Sequence, residues 1–389
     1  MKSARPSEPP PSAAAPAAIP LIDLAAQHAS VANELRQAFE RVLASQNFIL
    51  GHEVSAFEDE IARFIGVPHA LGVSSGTDAL LLALMALDIG PGDEVIVPAF
   101  SFFATAGCVA RLGARPVFAD IEPLSFNLDI ARAAERVGAR TKAIIPVHLY
   151  GQTCDLRGLR ALAQAHGLAI VEDAAQALGA GTAELPSGAL GQFGCFSFFP
   201  TKNLGALGDA GLLTTGDAQL AKRARLLRAH GAEPKYHHAL IGGNFRLDAL
   251  QAAFLRAKLP HLPAWTAARR DNAARYDKLF AQAALPSQLL CAPMQVQPGH
   301  VYHQYVIRTP QRAALQAHLR EQRIGSEVYY PVPLHLQACF AYLAEGPGSH
   351  PCAERAAEEA LALPIYPELT AAQVERIASI IVDFLRNRG

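Results

Sequence analysis

The sequence predicts an α/β fold in which a mainly parallel central sheet carries helices on both faces, followed by a smaller C-terminal α/β domain. Three observations carry that prediction. Short strand-like runs alternate with helical stretches between residues 53 and 175. The runs are apolar almost throughout, as strands covered on both faces are. A chain of 389 residues is also long enough to divide into two lobes.

Taken in order, residues 1–20, "MKSARPSEPPPSAAAPAAIP", are rich in Pro, Ala and Ser and lack the leucine-type core of a secretory signal. They hold too few bulky apolar groups to offset the entropy of ordering and read as a disordered tail. "VANELRQAFERVLAS" and "EVSAFEDEIARFIG" place apolar residues at helical spacing, and "HALGVSS" is a strand ending in small polar residues. It feeds "GTDALLLALMAL", a helix that starts at Gly76-Thr77-Asp78. Free N–H groups at the positive end of such a helix make a phosphate seat, although the same turn is an ordinary feature of α/β domains. "DEVIVPAF" is the next strand, "SFFATAGCVARLG" a helix, "RPVFADI" and "TKAIIPVHLY" strands, "LRGLRALAQAHG" a helix and "LAIVEDAA" a strand. The large domain is expected over residues 21–260 and the small one over 261–389, where residues 354–385 supply helices separated by a short loop or strand.

Composition limits the partners. A net charge of -1 gives no basic excess for nucleic acid or an anionic membrane. Six cysteines without a C-x-x-C pair suggest neither a zinc site nor a disulfide framework, but small apolar residues in a reducing cytoplasm. No apolar run approaches the roughly 18 to 20 residues of a membrane span.

Ligands of such sheets sit at the carboxyl ends of the strands. The polar residues expected there are Ser74 and Ser75, Ser101 beside Phe102, His148 and Tyr150, and Glu172 and Asp173. Asp173 follows "LAIV", so its carboxylate emerges at the mouth of the sheet, where it needs a cation or donors unless it merely caps a helix. Lys202, in "FSFFPTKNLG", is one of only seven lysines; the others fall in the tail or in segments of surface-helix or loop character. A lysine in apolar surroundings has a depressed pKa and attacks carbonyls, whereas a snorkelling one does not. An amine, a carboxylate, an anion seat and a flat aromatic surface are together what pyridoxal phosphate requires.

The motifs "GTDAL", "GDEVIVPAFSFFATA", "VEDAAQALGA", "FSFFPTKNLGALGDAG", "GGNFRLDALQAAFL", "VYHQYVIR" and "YYPVPLHLQ" resemble, in order from about Pro20 onward, the DegT/DnrJ/EryC1/StrS family of nucleotide-sugar aminotransferases. "PVHLYGQ", "KYHH" and "YYPVPLHLQ" are most similar to its members that aminate C3. The resemblance implies the type I fold of pyridoxal-phosphate enzymes, with pyridoxamine phosphate as the intermediate form of the cofactor. It makes Lys202 the Schiff-base lysine and Asp173 the partner of the pyridine nitrogen. Phe102 stacks on one ring face, with Gln176 near the other, and Gly76, Thr77 and Ser197 hold the phosphate. Asn244 and Arg246 cross into a neighbouring subunit's site, the former to the phosphate and the latter to a carboxylate, so the enzyme is expected to be a homodimer with shared sites. Tyr236, with Lys235, His237 and His238, sits on a loop over the site, and His303, Tyr329, Tyr330 and His335 contact sugar or diphosphate; the isolated histidines also fit a purely structural reading.

The implied reaction moves an amino group from L-glutamate to a keto-hexose on a nucleoside diphosphate, such as a dTDP-3-keto-6-deoxyhexose. A UDP-linked 2-acetamido-3-keto-uronate, a 4-keto sugar and a non-catalytic regulatory role remain alternatives. The branch of the family that dehydrates sugars carries histidine at the lysine position. A dinucleotide-binding reading fails, because "GALGDAG" follows Lys202 instead of linking an early strand to its helix.

Overall fold

The computed structural model describes residues 17–388. Near its start lie helices α1 (Leu24–Ser30), α2 (Ala32–Ser45) and α3 (His52–Ile65). The sheet-forming stretch follows: β1 (His69–Val73), α4 (Gly76–Ala86), β2 (Glu94–Pro98), α5 (Ala104–Arg111), β3 (Arg115–Ala119), α6 (Ile130–Ala134), β4 (Thr141–Ile144), α7 (Leu156–His166), β5 (Ala169–Asp173), β6 (Phe193–Ser197) and β7 (Gly211–Thr215). Then come α8 (Ala218–Arg228), α9 (Ala249–Lys258), α10 (Leu262–Ala283), β8 (Tyr305–Arg308), α11 (Arg312–Glu321), α12 (Pro351–Glu359), β9 (Ala360–Leu363) and α13 (Ala371–Arg386).

The seven-stranded sheet runs in the order β1-β7-β6-β5-β4-β2-β3. Only β7 opposes its neighbours, so β1, β2, β4, β5 and β6 all end on one edge. Continuous apolar strands require cover on both faces, and two large cores supply it together with a smaller one around Ile96, Ile144, Leu159 and Ile170. Leu80, Leu84, Val97, Val109 and Leu213 pack together on one side; Phe57, Ile61, Phe196, Leu212 and Leu255 pack on the other. Helices therefore flank the sheet as the strand composition predicted.

A third large core gathers α10, α13 and the antiparallel β8–β9 pair around Tyr276, Tyr305, Leu363 and Ile381. Helix α10 starts in the second core with Leu262 and Trp265 and ends in the third with Tyr276 and Phe280. We propose the division between a large and a small body at the turn before α10, with that helix as the connector.

The expectation of a disordered tail over residues 1–20 falls mostly outside the described residues, and for its last four residues it is corrected. The Ile19 amide donates to the Arg323 carbonyl at 2.9 Å and the Gly325 amide to the Ile19 carbonyl at 2.8 Å. Ile19 is buried with the third core, so residues 17–22 belong with the small body, whose partner segment lies some 300 positions away in sequence.

Candidate active site

The shared strand edge opens into a cavity of about 330 Å³, lined by Gly76, Thr77, Phe102, Asp173, Gln176, Ser197, Lys202, His303, Tyr329 and Tyr330, among others. At its floor, Ser75 caps α4, its hydroxyl accepting the Asp78 amide at 3.0 Å. The amides of Gly76 and Thr77 form the unbonded first turn of that helix and face negative charge favourably. A Cβ at Gly76 would lie 2.8 Å from the Ser197 Cβ. That position must be glycine for the seat between helix and hydroxyl to stay open.

Asp173 ends β5 and is buried. Its Oδ2 accepts the Thr105 hydroxyl at 2.8 Å, and its Oδ1 accepts the Ala175 amide at 3.2 Å. The Thr105 proton is committed to the carboxylate, so in the 2.8 Å contact between Ser101 and Thr105 the Ser101 hydroxyl donates. Burial pushes the Asp173 pKa up, and the Thr105 hydroxyl, the Ala175 amide and the Lys202 charge oppose that rise. A positively charged or protonated ring group beside Asp173 would complete what these donors begin.

Lys202 stands on the turn after β6, its amide donating to the Phe199 carbonyl at 2.8 Å. Burial lowers its pKa to about 8, against an upward pull from Asp173. An amine that is about half neutral near pH 8 is a usable nucleophile and base. Beside it, Asn203 donates through Nδ2 to the Val301 carbonyl at 3.1 Å, which leaves its Oδ1 to accept from His303 Nδ1 at 3.2 Å. That pairing fixes the His303 proton on Nδ1 and leaves Nε2 as an acceptor. Burial, then Lys202 and Arg269, hold the His303 pKa far below its usual value, so the ring is neutral.

Gln176 is anchored from both ends, its Oε1 accepting the Tyr150 amide at 2.7 Å and its Nε2 donating to the Tyr330 hydroxyl at 3.1 Å. The Phe102 ring stands 55% exposed at the mouth, 6.1 Å from that of Tyr330. An exposed aromatic face beside a buried carboxylate and an amine suits a flat, anionic pyridine. The residues present thus fit pyridoxal phosphate.

Several expected residues lie elsewhere. His335 is buried, bonded to Glu354 at 3.1 Å and packed 4.6 Å from the His350 ring. Its turn docks on the large body through the Leu334 amide and the Ala99 carbonyl, which turns the imidazole inward, so its expected substrate contact is corrected. His148 does not line the cavity either, since it is wholly buried against Glu172 at 2.9 Å. Tyr150 is buried as well and bonds the Tyr329 carbonyl. Tyr236 stands 79% exposed with Lys235 over its ring, outside the cavity of its own chain. Asn244 is exposed, and Arg246 keeps a buried Nε without a hydrogen-bond partner; neither lines the cavity. Lys258 is wholly buried, which corrects the reading that every lysine but Lys202 is superficial.

Thr105 and Asn203 were missed. Thr105 lies one helical turn after Ser101, a spacing that could have pointed to it, whereas nothing local marks Asn203. A wider hollow of about 470 Å³ at Asp120 and His350 includes the Cys352 thiol, whose pKa burial raises, and the Asp120 carboxylate there is taken by the Cys352 and Ala353 amides.

The profile of the DegT/DnrJ/EryC1/StrS aminotransferase family matches residues 29–382. The chain is 48% identical over 370 residues to the pleiotropic regulatory protein of Geobacillus stearothermophilus, covering 95% of this chain and 99% of that one. It is 47% identical over 365 residues to the UDP-N-acetyl-3-dehydro-alpha-D-glucosamine 3-aminotransferase of Acidithiobacillus ferrooxidans, covering 94% and 97%. The crystal structure of S. venezuelae DesV in complex with a ketimine intermediate superposes with a TM-score of 0.91 at 42% identity, covering 95% of this chain and 98% of that one.

Proposed function

The chain belongs to the DegT/DnrJ/EryC1/StrS aminotransferase family, and from that premise we propose that it moves the amino group of L-glutamate to C3 of a keto-hexose carried on a nucleoside diphosphate. The fold is that of the type I pyridoxal-phosphate aminotransferases. One observation carries the reading: the depressed Lys202 amine and the buried Asp173 carboxylate line one cavity beneath Phe102.

Pyridoxal phosphate bound here would supply an electron sink for the carbanion that amino transfer requires. Lys202 would hold it covalently, and the freed Nζ would take a proton at Cα of glutamate and return one at C3 of the sugar. Asp173 would hold a proton at the pyridine nitrogen, its own carboxylate kept in place by Thr105 and Ala175. Phe102 and Gln176 would cover the two ring faces, while Gly76, Thr77 and Ser197 would grip the phosphate. His303 Nε2 would accept from a sugar hydroxyl, and Tyr330 would close the wall beside it.

Asn244, Arg246 and the loop of Tyr236 act in this reading on the site of a second copy, in a homodimeric cytoplasmic enzyme. Their position outside their own cavity, together with the unpartnered Arg246 Nε, supports it. A regulatory protein on the same fold would have no use for the Lys202–Asp173 pair, which favours catalysis.

The test is a panel of keto-sugar nucleotides offered with glutamate and read by mass spectrometry: a dTDP-3-keto-6-deoxyhexose, UDP-linked 2-acetamido-3-keto sugars including the uronate, and a 4-keto sugar. Amination of 3-keto members is expected. Product from the 4-keto sugar alone would overturn the C3 assignment, and no product from any member would overturn amino transfer to sugars.

A further inference from the structure

Lys258 closes the last turn of α9, is wholly buried, and has no place in the chemistry above. Its Nζ donates to the Gly205 carbonyl at 2.7 Å and to His28 Nε2 at 2.9 Å. Burial lowers its pKa to about 8, with no carboxylate to offset that cost. A buried amine without a counter-ion is expensive to keep, so its two contacts invite explanation.

Gly205 lies three residues beyond Lys202, in the same turn. That turn is folded tightly on itself: a Cβ at Gly205 would come within 2.2 Å of the Pro200 carbonyl oxygen. Its ends are bonded, the Ala206 amide to the Phe198 carbonyl at 2.8 Å and the Phe198 amide to the Ala210 carbonyl at 2.8 Å. Asn203 ties its far side to Val301. On the Gly205 side, Lys258 Nζ bonds the turn to the last turn of α9, while the Leu207 amide just beyond donates to Gln251 Oε1 at 2.8 Å near the start of that helix.

The second contact reaches the N-terminal strap. His28 belongs to α1, and the chain just before it is fastened to the small body through Ile19 and Arg323. Because Lys258 offers only donors, His28 Nε2 accepts and the ring is neutral with its proton on Nδ1. Burial and the nearby Lys258 charge lower the His28 pKa, in keeping with that state. The strap, α9 and the turn of Lys202 therefore meet at one nitrogen.

We infer that Lys258 is a positioning residue: from behind the turn it holds the Gly205 carbonyl and the His28 imidazole together, which sets the Lys202 amine in the cavity and fastens its turn to the N-terminal strap. The inference rests on the reading of Lys202 as the amine that captures pyridoxal phosphate.

The test uses the full-length protein freed of cofactor, given pyridoxal phosphate and then borohydride across a range of pH, with modification of Lys202 quantified by peptide mass spectrometry. Lys258→Met keeps the apolar stem and removes the donor. The variant is expected to label Lys202 at least roughly tenfold more slowly than wild type and with a displaced pH midpoint. A folded variant with the wild-type rate and midpoint would overturn the inference. Should Lys258→Met fail to fold, His28→Gln and His28→Leu decide. The glutamine can accept the same bond and should label as wild type, the leucine more slowly, and equal labelling in both would overturn the inference. Wild-type protein that labels elsewhere but not at Lys202 would instead sink the reading on which the inference rests.

Discussion

At the scale of single residues, the account turns on how burial sets two charges. A surface lysine would capture pyridoxal phosphate ever faster up to its ordinary pKa. Lys202, with its pKa lowered to about 8, should gain speed as pH rises toward that value and level off above it, because only the neutral amine attacks. Stopped-flow absorbance on the cofactor-free protein reads this, and a rate still climbing steeply well beyond pH 9 would contradict it. Lys202→Ala should abolish turnover. Asp173→Asn should leave cofactor bound yet cut kcat by roughly 100-fold or more, since a neutral amide cannot hold charge at the ring nitrogen. Thr105→Val removes a hydrogen bond to a charged group worth roughly 1.5 to 3 kcal/mol, so a fall in kcat of about 10- to 100-fold is expected, with Thr105→Ser close to wild type. Lys202 and Asp173 were legible in the sequence because a rare lysine and a strand-end carboxylate stand out locally. Thr105, Asn203 and the buried Lys258 were not, since their partners come from other segments.

At the scale of elements, the strand–turn–helix at Val73 to Asp78 and the turn at residues 198–206 shape the cavity. Both depend on a glycine at a point of close approach. Gly76→Ala drives a methyl toward Ser197 and should weaken phosphate binding by roughly tenfold, about 1.4 kcal/mol, while the fold persists. Titration with pyridoxal phosphate followed by circular dichroism checks both halves, and unchanged affinity would mean that the seat lies elsewhere. The parallel strands and their helices were readable because apolar runs of four or five residues between helical stretches admit few alternatives. His335 was misjudged for the opposite reason. Nothing in "YYPVPLHLQ" tells that its turn docks on Ala99 and buries the imidazole beside His350.

At the scale of the whole molecule, the small body reaches back to close the cavity with His303, Tyr329 and Tyr330, and the N-terminal strap packs into that body's core through Ile19. Ile19 was read as tail because its pairing with Ile324 spans most of the chain, a distance over which periodicity carries no information. If Asn244 and Arg246 complete a partner's site, inactive Lys202→Ala and Asn244→Ala proteins should recover activity when mixed and allowed to exchange subunits. About one quarter of the wild-type rate is expected, because half of the dimers are mixed and each mixed dimer holds one intact site. No recovery in demonstrably mixed dimers would argue that each chain works alone. The most direct test of the central claim is the visible spectrum of the purified protein with pyridoxal phosphate, before and after addition of L-glutamate alone. The account predicts a yellow band that Lys202→Ala lacks, and its conversion by glutamate to the colourless pyridoxamine phosphate form. A wild-type protein that never develops the band, or that keeps it unchanged in excess glutamate, would contradict the assignment of Lys202 and of the amino donor respectively.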